Sequence, residues 1–77
     1  MTLEQFLNLD ETHILSSEEV QALNYNLSIV KLKNIPIKHR SRVLDYIVNA
    51  LNFHAVSPDI VATLDELRLS LEDNINV

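Results

Sequence analysis

Apolar residues recur along this chain with the three- and four-residue spacing of helices, and the spacing predicts four helical segments. The first segment begins at Thr2, which with Gln5 has the pattern of a capping box. Its apolar face consists of Leu3, Phe6 and Leu7. About two turns of helix are marginally stable alone in water, so we expect this segment to dock on the rest of the chain, with residues 10–15 as a connection.

The second segment, residues 17–33, has the clearest start, because Ser16 and Glu19 are placed to form a capping box. At about 100° per residue, its apolar side chains divide into two stripes on nearly opposite sides of the helix. One stripe consists of Val20, Leu23, Leu27 and Val30, and the other consists of Ala22, Tyr25, Ile29 and Leu32. A helix with two apolar sides is expected to lie between two layers.

Asn34 marks the predicted end of this helix, because asparagine is the usual substitute for glycine in the left-handed position after a helix. Pro36 prevents the helix from continuing. Lys31 and Lys33 would then lie in the last helical turn, where cations stabilise the helix dipole.

The third helix is predicted over residues 37–53, with a start between Pro36 and Arg42. Either Pro36 occupies the first turn, or Ser41 caps the helix after a basic loop. Apolar residues cover most of its circumference and leave a polar strip of Asp45, Asn49 and Asn52. Such a helix is expected at the centre of the domain or against a partner.

The fourth helix is predicted over residues 58–72, since Ser57 can cap it and Pro58 suits the first helical position. Its narrow apolar seam consists of Ile60, Leu64, Leu67 and Leu71. Residues 72–77 are expected to fray.

Together these segments predict an all-α fold, a small bundle of three main helices plus a short N-terminal helix, in a single domain over residues 1–77. The second stripe of the second helix then has two interpretations. Either the N-terminal segment folds back and covers it, or a second copy of the chain or another protein packs on it and completes the bundle.

Composition excludes several classes of site. The 77 residues include no cysteine and no glycine, which excludes disulfides, thiolate metal sites and glycine-rich phosphate-binding loops. His13, His39 and His54 lack the close spacing of metal ligands. Adjacent acids such as Glu18 and Glu19 point apart on a helix, which does not suit paired-carboxylate catalysis. We therefore predict a non-catalytic protein with no cofactor and no bound metal.

The chain has no apolar run of the roughly 18 residues that a membrane span requires. Its acidic N-terminal region also lacks the pattern of a signal peptide. These observations predict a cytoplasmic protein without a membrane partner.

Charge is distributed very unevenly. All but one of the six lysines and arginines lie in one segment, as Lys31, Lys33, Lys38, Arg40 and Arg42. The flanking segments, residues 1–30 and 43–77, each carry a formal charge of −5, which is also the charge of the whole chain. The last three cations lie at or before the start of the third helix, where each opposes the helix dipole by about 0.3–1 kcal/mol. The cluster is therefore either a solvated turn whose lysines cap the second helix or a contact surface for an anionic partner.

The favoured function is a small acidic module that binds another protein and acts as an adaptor, inhibitor or regulator. Its contact surfaces would be the cation cluster and the stripe of Ala22, Tyr25, Ile29 and Leu32. The first alternative is a nucleic-acid-binding regulator, either helix-turn-helix-like with residues 38–42 at the entrance of the third helix or ribbon-helix-helix with a strand at residues 30–35. The net negative charge and the absence of aromatic residues among the cations weigh against it. The second alternative is a structural homo-oligomer.

Overall fold

The structure is a computed structural model that describes residues 1–10, 12–53 and 56–75. Its α-helices are α1 (Leu3–Leu7), α2 (Ser17–Ser28), α3 (Arg40–Phe53) and α4 (Pro58–Ile75). Two 3₁₀ turns lie between α2 and α3, the first at Leu32–Asn34 and the second at Ile37–His39. No strand occurs within the described ranges, and the predicted all-α fold is confirmed.

Local sequence signals determine where the first two helices start. At α1 the Gln5 N–H donates to Thr2 Oγ1 at 3.2 Å, and Gln5 Oε1 accepts from the Thr2 N–H at 2.9 Å. At α2 the same reciprocal pair joins Ser16 and Glu19, with distances of 3.2 and 3.0 Å. Both predicted capping boxes are therefore confirmed, and each satisfies N–H groups that the helix cannot pair internally.

The core lies where α4 packs against α3 and α2, with α1 docked on α2. Its buried apolar side chains are Phe6, Leu23, Leu27, Ile35, Val43, Ile47, Leu64, Leu67 and Leu71. The predicted seam of α4 is confirmed, because three of its leucines are in this set and Ile60 packs against it. The 3.6-residue period of that helix places all of these side chains on one face.

A buried polar pair fixes α2 relative to α3. Asn24 is 2% exposed, and its Oδ1 accepts a hydrogen bond of 2.6 Å from the Tyr46 hydroxyl, which also lies 3.2 Å from the carbonyl oxygen of Val20. Burial raises the pKa of Tyr46 to about 12, so the hydroxyl keeps the proton that it donates. The Tyr46 ring lies 5.3 Å from the ring of Phe6, which ties α1 to the same point.

The predicted end of α2 is wrong. The helix ends at Ser28 and not at residue 33, and Lys31 already has an extended backbone. Two side chains in the last turns compete for helical carbonyls: Ser28 Oγ donates to the Tyr25 carbonyl at 2.6 Å, and Asn26 Nδ2 donates to the Ala22 carbonyl at 2.9 Å. Such local hydrogen bonds weaken a helix and favour its termination.

The early end of α2 redirects the chain so that Ile35 enters the core. Asn34 does not have the predicted left-handed conformation, since it lies in the first 3₁₀ turn and no positive φ occurs among the described residues. The strand at residues 30–35 that a ribbon-helix-helix fold requires is not formed either. The prediction that Lys31 and Lys33 lie in the last turn of the helix is wrong, because both lie beyond its end.

The start of α3 lies between Pro36 and Arg42, as predicted, but at Arg40 and not at residue 37, and Ser41 lies inside the helix and does not cap it. Pro36 precedes the second 3₁₀ turn, where the His39 N–H donates to its carbonyl at 2.9 Å, and the α-helix itself starts at Arg40. The predicted start of α4 at Pro58 is confirmed. This helix extends to Ile75 and does not end at residue 72, while residues 76 and 77 of the segment predicted to fray lie outside the described ranges.

Candidate partner-binding surface

The five clustered cations separate into two groups with different surroundings. Arg40 belongs to the first group, because its guanidinium turns toward the backbone. Its Nε donates to the carbonyl of Ile35 at 3.0 Å, and its Nη2 donates to the carbonyl of Leu32 at 3.2 Å. These bonds join the first 3₁₀ turn to the start of α3 and stabilise the chain reversal that buries Ile35.

Arg42 has the same kind of environment on the other side of α3. Its Nη1 and Nη2 donate to the carbonyls of Leu7 and Leu9 at 3.3 and 3.1 Å, and its guanidinium carbon lies 4.9 Å from the centre of the Phe6 ring. The end of α1 is therefore held to α3 by charge-assisted hydrogen bonds and a cation–π contact. The arginines thus contribute to the fold, a role that the sequence did not indicate.

The three lysines form the second group. Lys31, Lys33 and Lys38 are exposed, and none forms an ion pair with a carboxylate in the described part of the chain. Because Lys31 and Lys33 lie outside α2, the interpretation that they cap its last turn does not account for them. Their charges are available to a partner.

The second apolar stripe of α2 is only partly covered. Ala22 is half-buried, and Leu32 has left the helix and packs against the core. Tyr25 and Ile29 remain 63% and 67% exposed although α1 docks on this helix. The structure therefore keeps two of the four predicted stripe residues at the surface and removes the other two.

The sequence did not single out Ile37, which is 80% exposed in the second 3₁₀ turn. The available signal was an apolar residue between a proline and a lysine, outside the helical periodicity. We use the term turn surface for the exposed lysines and large apolar residues of the connection between α2 and α3 and the helical turn before it: Tyr25, Ile29, Lys31, Lys33, Ile37 and Lys38. Single exposed apolar side chains are ordinary, and here three of them occur in the same stretch of the chain as three exposed lysines.

A groove next to the turn surface, which we call the α1 groove, has a volume of about 540 Å³. Leu3, Leu7 and Pro36 provide its apolar lining, and Lys38 and His39 provide its cationic or ionisable nitrogen groups. A second groove of about 660 Å³ shares Lys38 and His39 but also includes Asp10 and Asp45. Lys38 and His39 thus border both grooves.

Two acids before and within α2, Asp10 and Glu19, have lowered pKa values. His13 Nε2 lies 3.4 Å from Glu19 Oε2, and the hydrogen bond from the Ser16 backbone N–H lowers the pKa of that carboxyl. A hydrogen bond from the Thr12 backbone N–H lowers the pKa of Asp10 in the same way. Within the described ranges, which exclude His54, no three histidines or acids are grouped as metal ligands would be.

Helices that could cross a bilayer, judged by length and apolar character, are absent from the described part of the chain. The chain matches no protein-family model, no curated protein and no solved structure. Its function must therefore be inferred from its own geometry and charge.

Proposed function

We propose that this chain is a non-catalytic module that binds another protein through the turn surface and acts as an adaptor, inhibitor or regulator. One observation carries the proposal: Lys31, Lys33 and Lys38 are exposed without an ion pair among the described residues, in a stretch of the chain that also exposes Tyr25, Ile29 and Ile37. Apolar side chains supply contact area, and unpaired charges supply orientation and selectivity. The predicted cytoplasmic location belongs to the same proposal.

The nucleic-acid alternative receives less support. A helix-turn-helix motif joins its helices by a turn of about 3–4 residues, whereas residues 29–39 separate α2 from α3. Arg40 and Arg42, the cations best suited to phosphate, donate to backbone carbonyls instead. A net charge of −5 also opposes long-range attraction to a polyanion.

The test compares two variants of equal net charge. The first replaces the three lysines with glutamine. The second is a matched control with three new acids at exposed positions of α3 and α4: Asn49→Asp, Asn52→Asp and Thr63→Glu. Far-UV circular dichroism checks that both remain folded, and each tagged chain is then used for affinity capture with nuclease treatment.

The proposal predicts a stoichiometric protein partner that the wild type and the acidic control capture and that the glutamine variant loses. If the glutamine variant captures as much partner as the wild type, the turn surface is not the binding surface. Recovery of nuclease-sensitive material alone would favour the nucleic-acid alternative. A dimer of the free chain that only the glutamine variant disrupts would favour the structural homo-oligomer.

A further inference from the structure

Lys38 is the one lysine of the turn surface that also lines the α1 groove. It lies in the 3₁₀ turn that leads into α3, where no side-chain cap and no acidic residue in the first turn offset its charge. A cation at the start of a helix opposes the dipole, so the helix gains nothing from this charge. The charge of Lys38 is instead suited to an external anion.

The α1 groove also offers apolar contact beside that cation. Leu3 and Leu7 are half-buried against the core, and each keeps part of its surface in the groove together with Pro36. The groove volume of about 540 Å³ falls within the range of about 300–1,000 Å³ that is common for binding pockets. An inorganic anion would leave this apolar surface in water, whereas a peptide with a carboxylate and a neighbouring aliphatic side chain would cover it.

The neighbouring grooves fit an acidic ligand less well. The groove that shares Lys38 and His39 contains Asp10 and Asp45, which would repel a carboxylate, and the guanidinium of Arg42 there is committed to the Leu7 and Leu9 carbonyls. A groove of about 610 Å³ between α2 and α4 has Asp59 in its lining and no cation. In the α1 groove the single acid is Glu4.

We infer that the α1 groove binds an acidic segment of the partner protein, with a carboxylate at Lys38 and an aliphatic side chain against Leu3, Leu7 and Pro36. The inference rests on the proposed function and specifies where and with what chemistry the partner binds. Lys38 provides the charge complementarity for this occupant, and it lies in residues 31–42, which carry five of the chain's six lysines and arginines.

A short peptide of alternating glutamate and leucine serves as the probe, and the same peptide with lysine in place of glutamate serves as its control. Binding to the full chain is followed by nitrogen-15 NMR. We expect the glutamate peptide to shift the backbone amides of Leu3, Leu7, Lys38 and His39 and to bind more weakly as salt rises. The lysine peptide is expected to leave these amides in place.

Lys38→Gln and Asn49→Asp form a matched pair, because both lower the net charge by one at an exposed position and only Lys38 lines the α1 groove. We expect Lys38→Gln to weaken the glutamate peptide about two- to fivefold, as the loss of one exposed ion pair implies. Asn49→Asp is expected to leave the affinity unchanged. Equal effects of the two variants, or shifts confined to Tyr25 and Ile29, would overturn the groove as the binding site.

The two proposals fail in different ways. If affinity capture still depends on the three lysines while the peptide leaves the α1 groove untouched, the groove is wrong and the protein-binding module stands. If capture is independent of the lysines, the proposed function itself fails. Two other results would also contradict binding of an acidic segment. One is a DNA duplex that shifts the same amides more strongly than the peptide. The other is a shift of these amides as the protein concentration rises, which would indicate a second copy of the chain.

Discussion

Replacement of Arg42 by methionine tests whether the cation cluster is one binding patch or two groups with separate roles. The substitution removes the guanidinium and keeps a long apolar stem. The structure assigns that guanidinium two carbonyl acceptors, Leu7 at 3.3 Å and Leu9 at 3.1 Å, and a position 4.9 Å from the Phe6 ring. The variant should therefore lose stability without losing a partner contact.

The expected magnitude follows from these contacts. A hydrogen bond from a charged group contributes about 1.5–3 kcal/mol when well formed, and both bonds here are long and reach partly solvated carbonyls. We therefore expect the two bonds together to contribute about 1.5 kcal/mol, and the cation–π contact with the buried Phe6 ring to add about 0.5–1 kcal/mol. We expect Arg42→Met to lower the free energy of unfolding by about 2 kcal/mol, which corresponds to a fall in Tm of about 8–16 °C for a chain of this size.

Urea and thermal unfolding, followed by far-UV circular dichroism, measure this loss. Arg68→Met is the matched control, because Arg68 pairs with Asp65 and Glu72 on the surface of α4, where ion pairs contribute little. Hydrogen exchange gives a local readout. The Phe6 N–H donates to the Thr2 carbonyl and the Leu9 N–H donates to the Phe6 carbonyl, and both amides are expected to exchange faster in Arg42→Met.

The reasoning is refuted if Arg42→Met is as stable as the wild type but no longer captures the partner. Arg42 would then belong to the binding surface. Arg42→Lys sharpens the test. A single ammonium is not expected to replace the guanidinium fork at both carbonyls, so this variant should keep the charge and still lose much of the stability. If it is as stable as the wild type, the hydrogen-bond geometry does not matter.

Three further predictions concern the scaffold. Tyr46→Phe leaves the buried Asn24 Oδ1 without its donor and is expected to cost about 1–3 kcal/mol in urea unfolding. Because the pKa of Tyr46 is about 12 in the folded chain and about 10 when unfolded, wild-type stability should fall as pH rises between those values, and the phenylalanine variant should show a shallower fall. Ser16→Ala breaks the capping box of α2 and is expected to cost about 1 kcal/mol, whereas Ser17→Ala should cost less in the same assay. Leu64→Ala, at a fully buried position, is expected to cost about 2–5 kcal/mol, and a smaller loss would mean that α4 is not central to the core.

The starts of α1, α2 and α4 and the seam of α4 could be predicted because their signals are local. Ser16 with Glu19 and Ser57 with Pro58 lie within a few residues of the backbone groups that they affect, and the leucine period needs no partner to be recognised. The end of α2 could not be predicted, because one influence favours a longer helix and others favour its termination. Periodicity continues through Leu32, but the side chains of Asn26 and Ser28 bind helical carbonyls and the core takes up Ile35.

The division of the cation cluster could not be predicted, because the acceptors of Arg42 are 33 and 35 residues away in sequence. The burial of Asn24 could not be predicted either, since nothing local marks this polar residue of α2 as a partner of Tyr46. In both cases the decisive contact joins different helices. A sequence pattern identifies which side chains carry charge, but not which carbonyl or hydroxyl will be brought to them.

The chemistry of the two side chains explains why the cluster divides as it does. A guanidinium is planar and weakly hydrated and can serve two carbonyls at once, so it tolerates partial burial at the end of α1, where a cation also favours the helix dipole. An ammonium is strongly hydrated and remains in water until it meets an anion. The contacts of Arg42 with α1 offset the unfavourable effect of its charge at the start of α3. The charge of Lys38 is not offset in this way. A variant that replaced all five cations would lose fold and binding together, so substitutions confined to the lysines are needed to measure the partner contact.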